Sequence, residues 1–184
     1  MKQIYFDNAA TTPVVPEVVH AVTDCLTKDF GNPSSMHRLG IRAEKRIREA
    51  AKQVSHLLQA DPEEIIFTSG GTEANNMAIL GTAHDKKRRG MHCITTAIEH
   101  PSVGNTFAHL EKQGYEVTYL PVDRNGVISL ESFRDALRED TILVSIMMAN
   151  NEIGTILPIK TLCNIAHEKG VLFHTDAIQA VGHI

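Results

Sequence analysis

The sequence lacks the features that mark several whole classes of protein. Its 184 residues carry 18 Lys and Arg against 22 Asp and Glu, a net charge of −4, so no general basic field exists to attract nucleic acid. The one dense cationic run, Lys86-Lys87-Arg88-Arg89, lies before Gly90 between a helical and a strand pattern and reads as a solvated helix end. No apolar run approaches the roughly 20 residues of a membrane span, and the polar start Met1-Lys2-Gln3 does not read as a signal peptide. Cysteine is scarce: Cys25, Cys93 and Cys163 are odd in number, widely spaced and without metal-ligand spacing. The expectation is a reducing, cytoplasmic setting with no membrane, nucleic-acid or metal partner. There is also no internal repeat, low-complexity segment or linker. What remains is 42% hydrophobic and 22% charged, which suits a single domain with a real core.

The stretch that stands out is Ile65-Ile66-Phe67-Thr68-Ser69-Gly70-Gly71-Thr72-Glu73-Ala74-Asn75-Asn76. Its apolar start fits a buried strand, its middle is a glycine turn, and from Ala74 to Leu80 the pattern is helical. A strand, a glycine turn and a helix start together make an anion site, since glycines let backbone approach closely and the first helical N–H groups carry the positive end of the dipole. Ser69 and Thr72 would add hydroxyl donors. The same grammar also describes a tight strand-to-helix connection with an ordinary cap, and locally both readings stay open.

In chain order, Ile4 to Pro13 reads as extended, and Val18, Val19, Val22 and Leu26 form a helical apolar face that ends before Gly31-Asn32-Pro33. Ser34 or Ser35 is the expected cap of the next helix, His37 to Leu58, where apolar residues recur in steps of three and four with charges between them. Asp61-Pro62-Glu63-Glu64 reads as a capped turn. Past the glycine turn, strands are expected over 91–96, 115–120, 141–148 and 171–175. Helices are expected over 73–84, 101–113, 130–137 and 162–167. The run 141–148 is apolar on both faces, as a covered sheet requires. Such alternation predicts an α/β fold with a mostly parallel sheet flanked by helices. Ligands of such folds sit at the carboxyl ends of strands, which points to Ser69-Gly70-Gly71-Thr72, Glu99-His100, Asn150-Asn151-Glu152 and Asp176-Ala177-Ile178-Gln179. Singly, each has a plain alternative: His100 as a loop histidine, Asn151 as a turn former, Asp176 as a helix cap.

Six segments in order carry a resemblance: Tyr5 to Pro13, Gly31 to His37, Phe67 to Asn76, Glu99-His100, Asn150 to Gly154 and His174 to Gln179. Together they resemble the cysteine desulfurases of the NifS and IscS type, in the class V branch of pyridoxal-phosphate (PLP) enzymes. The resemblance implies part of the large domain of the aspartate aminotransferase-like fold, with an extended segment over 1–15, an incomplete large domain over 16–184 and no small C-terminal domain. It further implies that Gly71 and Thr72 hold the cofactor phosphate and that His100 stacks on the pyridine ring and moves protons, work that suits an imidazole. Asp176 would pair with the pyridine nitrogen and keep the ring an electron sink. Gln179 would donate to the phenolate oxygen, Asn151 would lie near that oxygen or the substrate carboxylate, and the segment from Asp7 to Thr12 would lie beside the substrate mouth.

The family's Ser-x-His-Lys segment, whose lysine forms the Schiff base, and its late nucleophilic cysteine do not occur in these residues. The resemblance offers no precedent for Lys160 or Lys169 in the lysine's place, and Cys25, Cys93 and Cys163 read as packing residues. The expectation is the N-terminal part of an enzyme that converts L-cysteine to L-alanine and an enzyme persulfide, for iron–sulfur cluster assembly or tRNA thiolation. Alone it is expected to be inactive, to bind PLP noncovalently at most, to need a complementing C-terminal half, and to form a homo-oligomer with exposed apolar surface and sheet edge. The alternative is a non-catalytic PLP-binding or interaction protein.

Overall fold

The computed structural model describes residues 4–184, and the chain divides after Phe67 into two compact units. In the first unit, residues 4–15 hold no helix or strand. Helix α1 (Pro16–Thr27) begins with proline at its first position, where the missing N–H costs nothing, and buries none of its residues. Helix α2 (Arg38–Leu58) turns Gly40, Ala43, Ala51 and Ser55 inward. Its cap is His37, whose Nδ1 accepts from Gly40 N at 3.3 Å; the expected caps Ser34 and Ser35 lie too far before the first turn to reach its free N–H groups. Asp29, buried, pairs with Arg42 and accepts from Arg46 Nε at 2.9 Å. A single 3-10 turn (Pro62–Glu64) closes through Asp61 N donating to Glu64 Oε2 at 2.8 Å.

Residues 65–68 depart from the expected strand. Ile65 is extended, but the run has no strand partner among the described residues and leaves Ile66 and Phe67 exposed. Apolar residues in extended conformation make a strand only when a ladder partner is available.

The second unit alternates as its sequence does: α3 (Gly71–Lys86), β1 (His92–Thr96), α4 (Pro101–Lys112), β2 (Glu116–Leu120), α5 (Leu130–Ala136), β3 (Thr141–Ser145), α6 (Ile159–Glu168) and β4 (Leu172–His174). The strands form one wholly parallel sheet in the order β2-β1-β3-β4. As regular strands β3 and β4 end at Ser145 and His174, short of the expected 148 and 175, although Ile146 N still donates to His174 O at 3.1 Å and Met148 N to Asp176 O at 2.9 Å. Buried Ile79, Ala83, Cys93, Val103, Phe107 and Leu110 put α3 and α4 on one face. Ile94, Phe133, Val144, Leu162 and Ile165 put α5 and α6 on the other. β1 and β3 are buried at every position because both faces of the sheet are covered there; the apolar Ile142, Leu143 and Val144 of β3 suit this, while β1 buries His92, Thr95 and Thr96 as well. The fully buried His92 bonds Thr141 Oγ1 at 2.7 Å and Thr118 Oγ1 at 2.8 Å, and burial pushes its pKa down.

Candidate functional site

The strand order locates the crevice. From β1 the chain crosses to β2 on one side, while β3 and then β4 follow on the other, so the connections diverge between the carboxyl ends of β1 and β3. A ligand crevice belongs at that point. Glu99, half-buried just past β1, spans it: Oε1 accepts from Thr96 Oγ1 at 2.7 Å and from Met147 N at 3.0 Å. Asn150 adds a second tie, donating from Nδ2 to Ile98 O at 2.9 Å. Burial pushes the Glu99 carboxyl up to about 7, with the Asp176 charge acting in the same direction against its two hydrogen bonds.

The glycine turn delivers the N-terminus of α3 to this end of the sheet. Gly70, at the cap position, offers no side chain, and the first helical bond runs from Ala74 N to Gly70 O at 3.1 Å. The N–H groups of Gly71, Thr72 and Glu73 therefore lie before the helical ladder and aim outward, the geometry of an anion site. Thr72 is exposed beside them. Ser69 does not join as a donor: its N and Oγ both go to Glu73 Oε2, at 2.7 and 2.5 Å, which holds that carboxyl below its usual range. A Cβ on Gly71 would fall 1.8 Å from Ile178 Cδ1, so a larger residue there would make the exposed Ile178 side chain turn away.

A chain of side chains joins α3 to the ends of β1 and β4. Asn75, one turn into α3 and buried, donates from Nδ2 to Asp176 Oδ2 at 2.8 Å and to Ser102 Oγ at 3.0 Å. Ser102 Oγ meets His100 Nδ1 at 2.7 Å, and the same nitrogen caps α4 by accepting from Ser102 N at 3.1 Å. Asp176, buried, also accepts from Ile178 N at 3.1 Å, so it closes a tight turn rather than capping a helix. Parallel to this run, Asn76 Nδ2 donates to Thr72 O at 2.8 Å, and Thr106 Oγ1 donates to Asn76 Oδ1 at 2.9 Å.

The network thus gathers the first turn of α3, with Gly71 and Thr72, together with His100 and Asp176. Gln179 follows Asp176 by three residues and is half-buried. Asn151 is not drawn in: its Nδ2 donates to Glu152 Oε1 at 2.9 Å, and its neighbour Asn150 makes the inward bonds instead. The sequence marked Glu99 and Asn150 as strand-end polar residues without giving either a role, and it gave no role to Asn75 or Ser102. The last two carried a usable signal, since Asn75 lies one helical turn beyond Gly71 and Ser102 sits where a cap partner of His100 would. Cys93 is buried, and burial pushes its thiol up to about 12, in keeping with packing; Cys25 is exposed, which packing does not explain. Lys160 and Lys169 are exposed at the two ends of α6. No group of three or more His, Cys, Asp or Glu placed to hold a metal occurs among the described residues, and no helix among them is long and apolar enough to cross a membrane.

Residues 4–184 match the family model described as aminotransferase class-V. Over its whole length the chain is similar to a protein named cysteine desulfurase IscS from Methanosarcina thermophila, with 53% identity over 183 residues and 45% of that protein covered. A protein of the same name from Dictyoglomus turgidum is 51% identical, with 46% of it covered. Among solved structures, a NifS-like protein superposes with a TM-score of 0.94 at 40% identity, covering 97% of this chain and 50% of that one. Another, described as SspA in complex with cysteine, superposes with a TM-score of 0.91 at 41% identity, covering 96% and 51%. The chain therefore spans about half the length of the relatives it matches, and the part it corresponds to is their N-terminal half.

Proposed function

The chain belongs to the class-V aminotransferase family, and from that premise we propose that residues 16–184 are part of the large, PLP-binding domain of a cysteine desulfurase. One observation carries the reading: Asn75 ties the anion-binding turn of α3 to the buried Asp176 carboxylate and, through Ser102, to His100. An anion cradle, a fixed carboxylate and an imidazole are the groups that a phosphorylated pyridine with a basic ring nitrogen calls for. The donor set fits. Uncapped N–H groups await a phosphate, and the buried Thr175 Oγ1 beside Asp176 has no partner among the described residues, as suits a site that admits a polar ligand.

On this reading Gly71 and Thr72 hold the phosphate through backbone N–H groups and the Thr72 hydroxyl. Asp176 faces the ring nitrogen, Gln179 lies toward the phenolate oxygen, Asn151 toward that oxygen or the substrate carboxylate, and His100 covers the ring face and handles a proton. When bound, PLP supplies the electron sink that lets bonds at the carbons of an amino acid break. The residues of this chain orient that group and hold its charge. With L-cysteine as substrate, the sulfur leaves carbon for a thiol, giving L-alanine and a persulfide, with all atoms balanced between the two. We assign the Schiff-base lysine and the persulfide-bearing thiol to a C-terminal part beyond these residues, so PLP binding here is noncovalent, in a cytoplasmic protein that pairs with copies of itself.

PLP titration of the chain, followed by absorbance, tests the cofactor: saturable binding lost in Asp176→Ala is expected, and no binding would overturn the reading. Borohydride treatment should leave no lysine adduct. Mixing with the C-terminal half, PLP, L-cysteine and an excess of a thiol reductant, which frees the persulfide sulfur as sulfide, should yield sulfide and alanine in equal amounts. PLP binding without either product would favour a non-catalytic PLP-binding protein instead.

A further inference from the structure

The hydrogen bonds around His100 have only one consistent direction. A backbone N–H can only donate, and Ser102 N reaches His100 Nδ1 at 3.1 Å, so Nδ1 is the unprotonated ring nitrogen. The Ser102 hydroxyl meets that nitrogen at 2.7 Å and must donate to it as well. Its oxygen is then left to accept, and it accepts from Asn75 Nδ2 at 3.0 Å. The second Nδ2 hydrogen goes to Asp176 Oδ2 at 2.8 Å. A carboxylate there accepts, so the Asn75 amide cannot be turned over without setting oxygen against oxygen. Asn75, Ser102 and Asp176 are all buried, which makes a reversed or broken bond in the chain costly.

We propose that Asn75 and Ser102 are positioning residues that lock neutral His100 in the tautomer with its proton on Nε2, each bond taking its direction from the Asp176 carboxylate. His100 then offers a donor, not a base, at Nε2. To take a proton there, it would first have to move its own to Nδ1, lose the bond from Ser102 N and reverse the Ser102 hydroxyl. The neutral imidazole is thereby set to give a hydrogen bond from Nε2 to a group placed against it, and the carboxylate that would face the cofactor ring also sets the polarity of the group over that ring. The tautomer follows from the hydrogen bonds alone. Its consequence for chemistry rests on the role proposed above for His100.

The test needs no cofactor. In the chain labelled with ¹⁵N-histidine, the two-bond ¹⁵N–¹H correlation at alkaline pH reads the tautomer of each neutral ring, and the spectrum of His100→Gln identifies the signal. The wild-type ring should show the Nε2–H form alone. In Asn75→Ala and Ser102→Ala the Nδ1–H form should rise roughly fivefold, the loss of one ordinary hydrogen bond, while Ser102→Thr, which keeps the hydroxyl, should hold the wild-type pattern. A wild-type ring protonated on Nδ1, or a tautomer unchanged in both alanine variants, would overturn the proposal; should Asn75→Ala not fold, Ser102→Ala decides. Failure of PLP to bind would instead count against the proposed function and leave the tautomer standing.

Discussion

Glu99 illustrates how a single residue can couple stability to pH without taking part in chemistry. Its carboxyl is buried between the ends of β1 and β3, with Oε1 doubly bonded and Oε2 without a partner among the described residues. An unfolded chain lets such a group ionise near its ordinary value of about 4.3, whereas the folded site holds it at about 7. The folded state therefore binds the extra proton between these values. The stabilisation is complete below the unfolded pKa and is lost as pH rises through the folded one. At 1.36 kcal/mol per pH unit, the wild type should lose about 3 kcal/mol relative to Glu99→Gln between pH 4.5 and 8. Urea midpoints of the two proteins across that range measure it, and midpoints that moved in parallel would refute it. At this scale the sequence was informative where a residue type has few uses: His100 and Asp176 were legible as strand-end polar groups. Glu99 was legible in the same way, but its bridging role was not, since nothing in a sequence distinguishes a carboxylate facing water from one that bridges two strand ends.

The element that defines the candidate site is α3, and its start sets function against stability. A glycine cap gives up the side-chain bond that Ser, Asp or Asn would make, and in return leaves the N–H groups of 71–73 open to an anion. A Cβ at Gly70 would meet nothing within 4 Å, and its extended backbone suits any residue. Gly70→Asp should therefore stabilise the chain by roughly 0.5 kcal/mol through capping and the dipole. The same carboxylate should weaken phosphate and PLP binding. Thermal unfolding and PLP titration read the two effects, and a variant that gained stability with undiminished affinity would remove the anion site from α3. Periodicity placed every helix and every strand of the sheet, because alternating apolar runs and punctuating glycines are local. It ran β3 and β4 past the ends of the regular strands, and it supplied a strand over 65–68 that has no ladder partner among the described residues, because ladder membership depends on what lies alongside.

For the whole molecule, apolar exposure is the dominant quantity. Phe6 is 92% exposed, Met36 94% and Leu26 73%, and α1 buries no residue at all. Single exposed apolar residues are ordinary, but many large ones on one small chain mark surface that other protein covers. We expect the isolated chain to self-associate at micromolar concentration and to do so less once the complementing C-terminal half is added. Sedimentation velocity decides this, and a clean monomer with cooperative unfolding would contradict it.

The sequence by itself determined the fold class, the order of elements and the family, because each rests on local spacing and on short motifs that survive without a partner. It also put Gly71, Thr72, His100, Asn151, Asp176 and Gln179 at strand ends. Only the tertiary structure decided which of these meet. Asn75 bonds a residue 101 positions away, a pairing that loop closure and packing create and that no local pattern encodes. That bond draws Asp176 and, through Ser102, His100 to the turn of α3, while the Asn151 amide stays with Glu152. It also fixes the direction in which protons lie along the chain from Asp176 to His100.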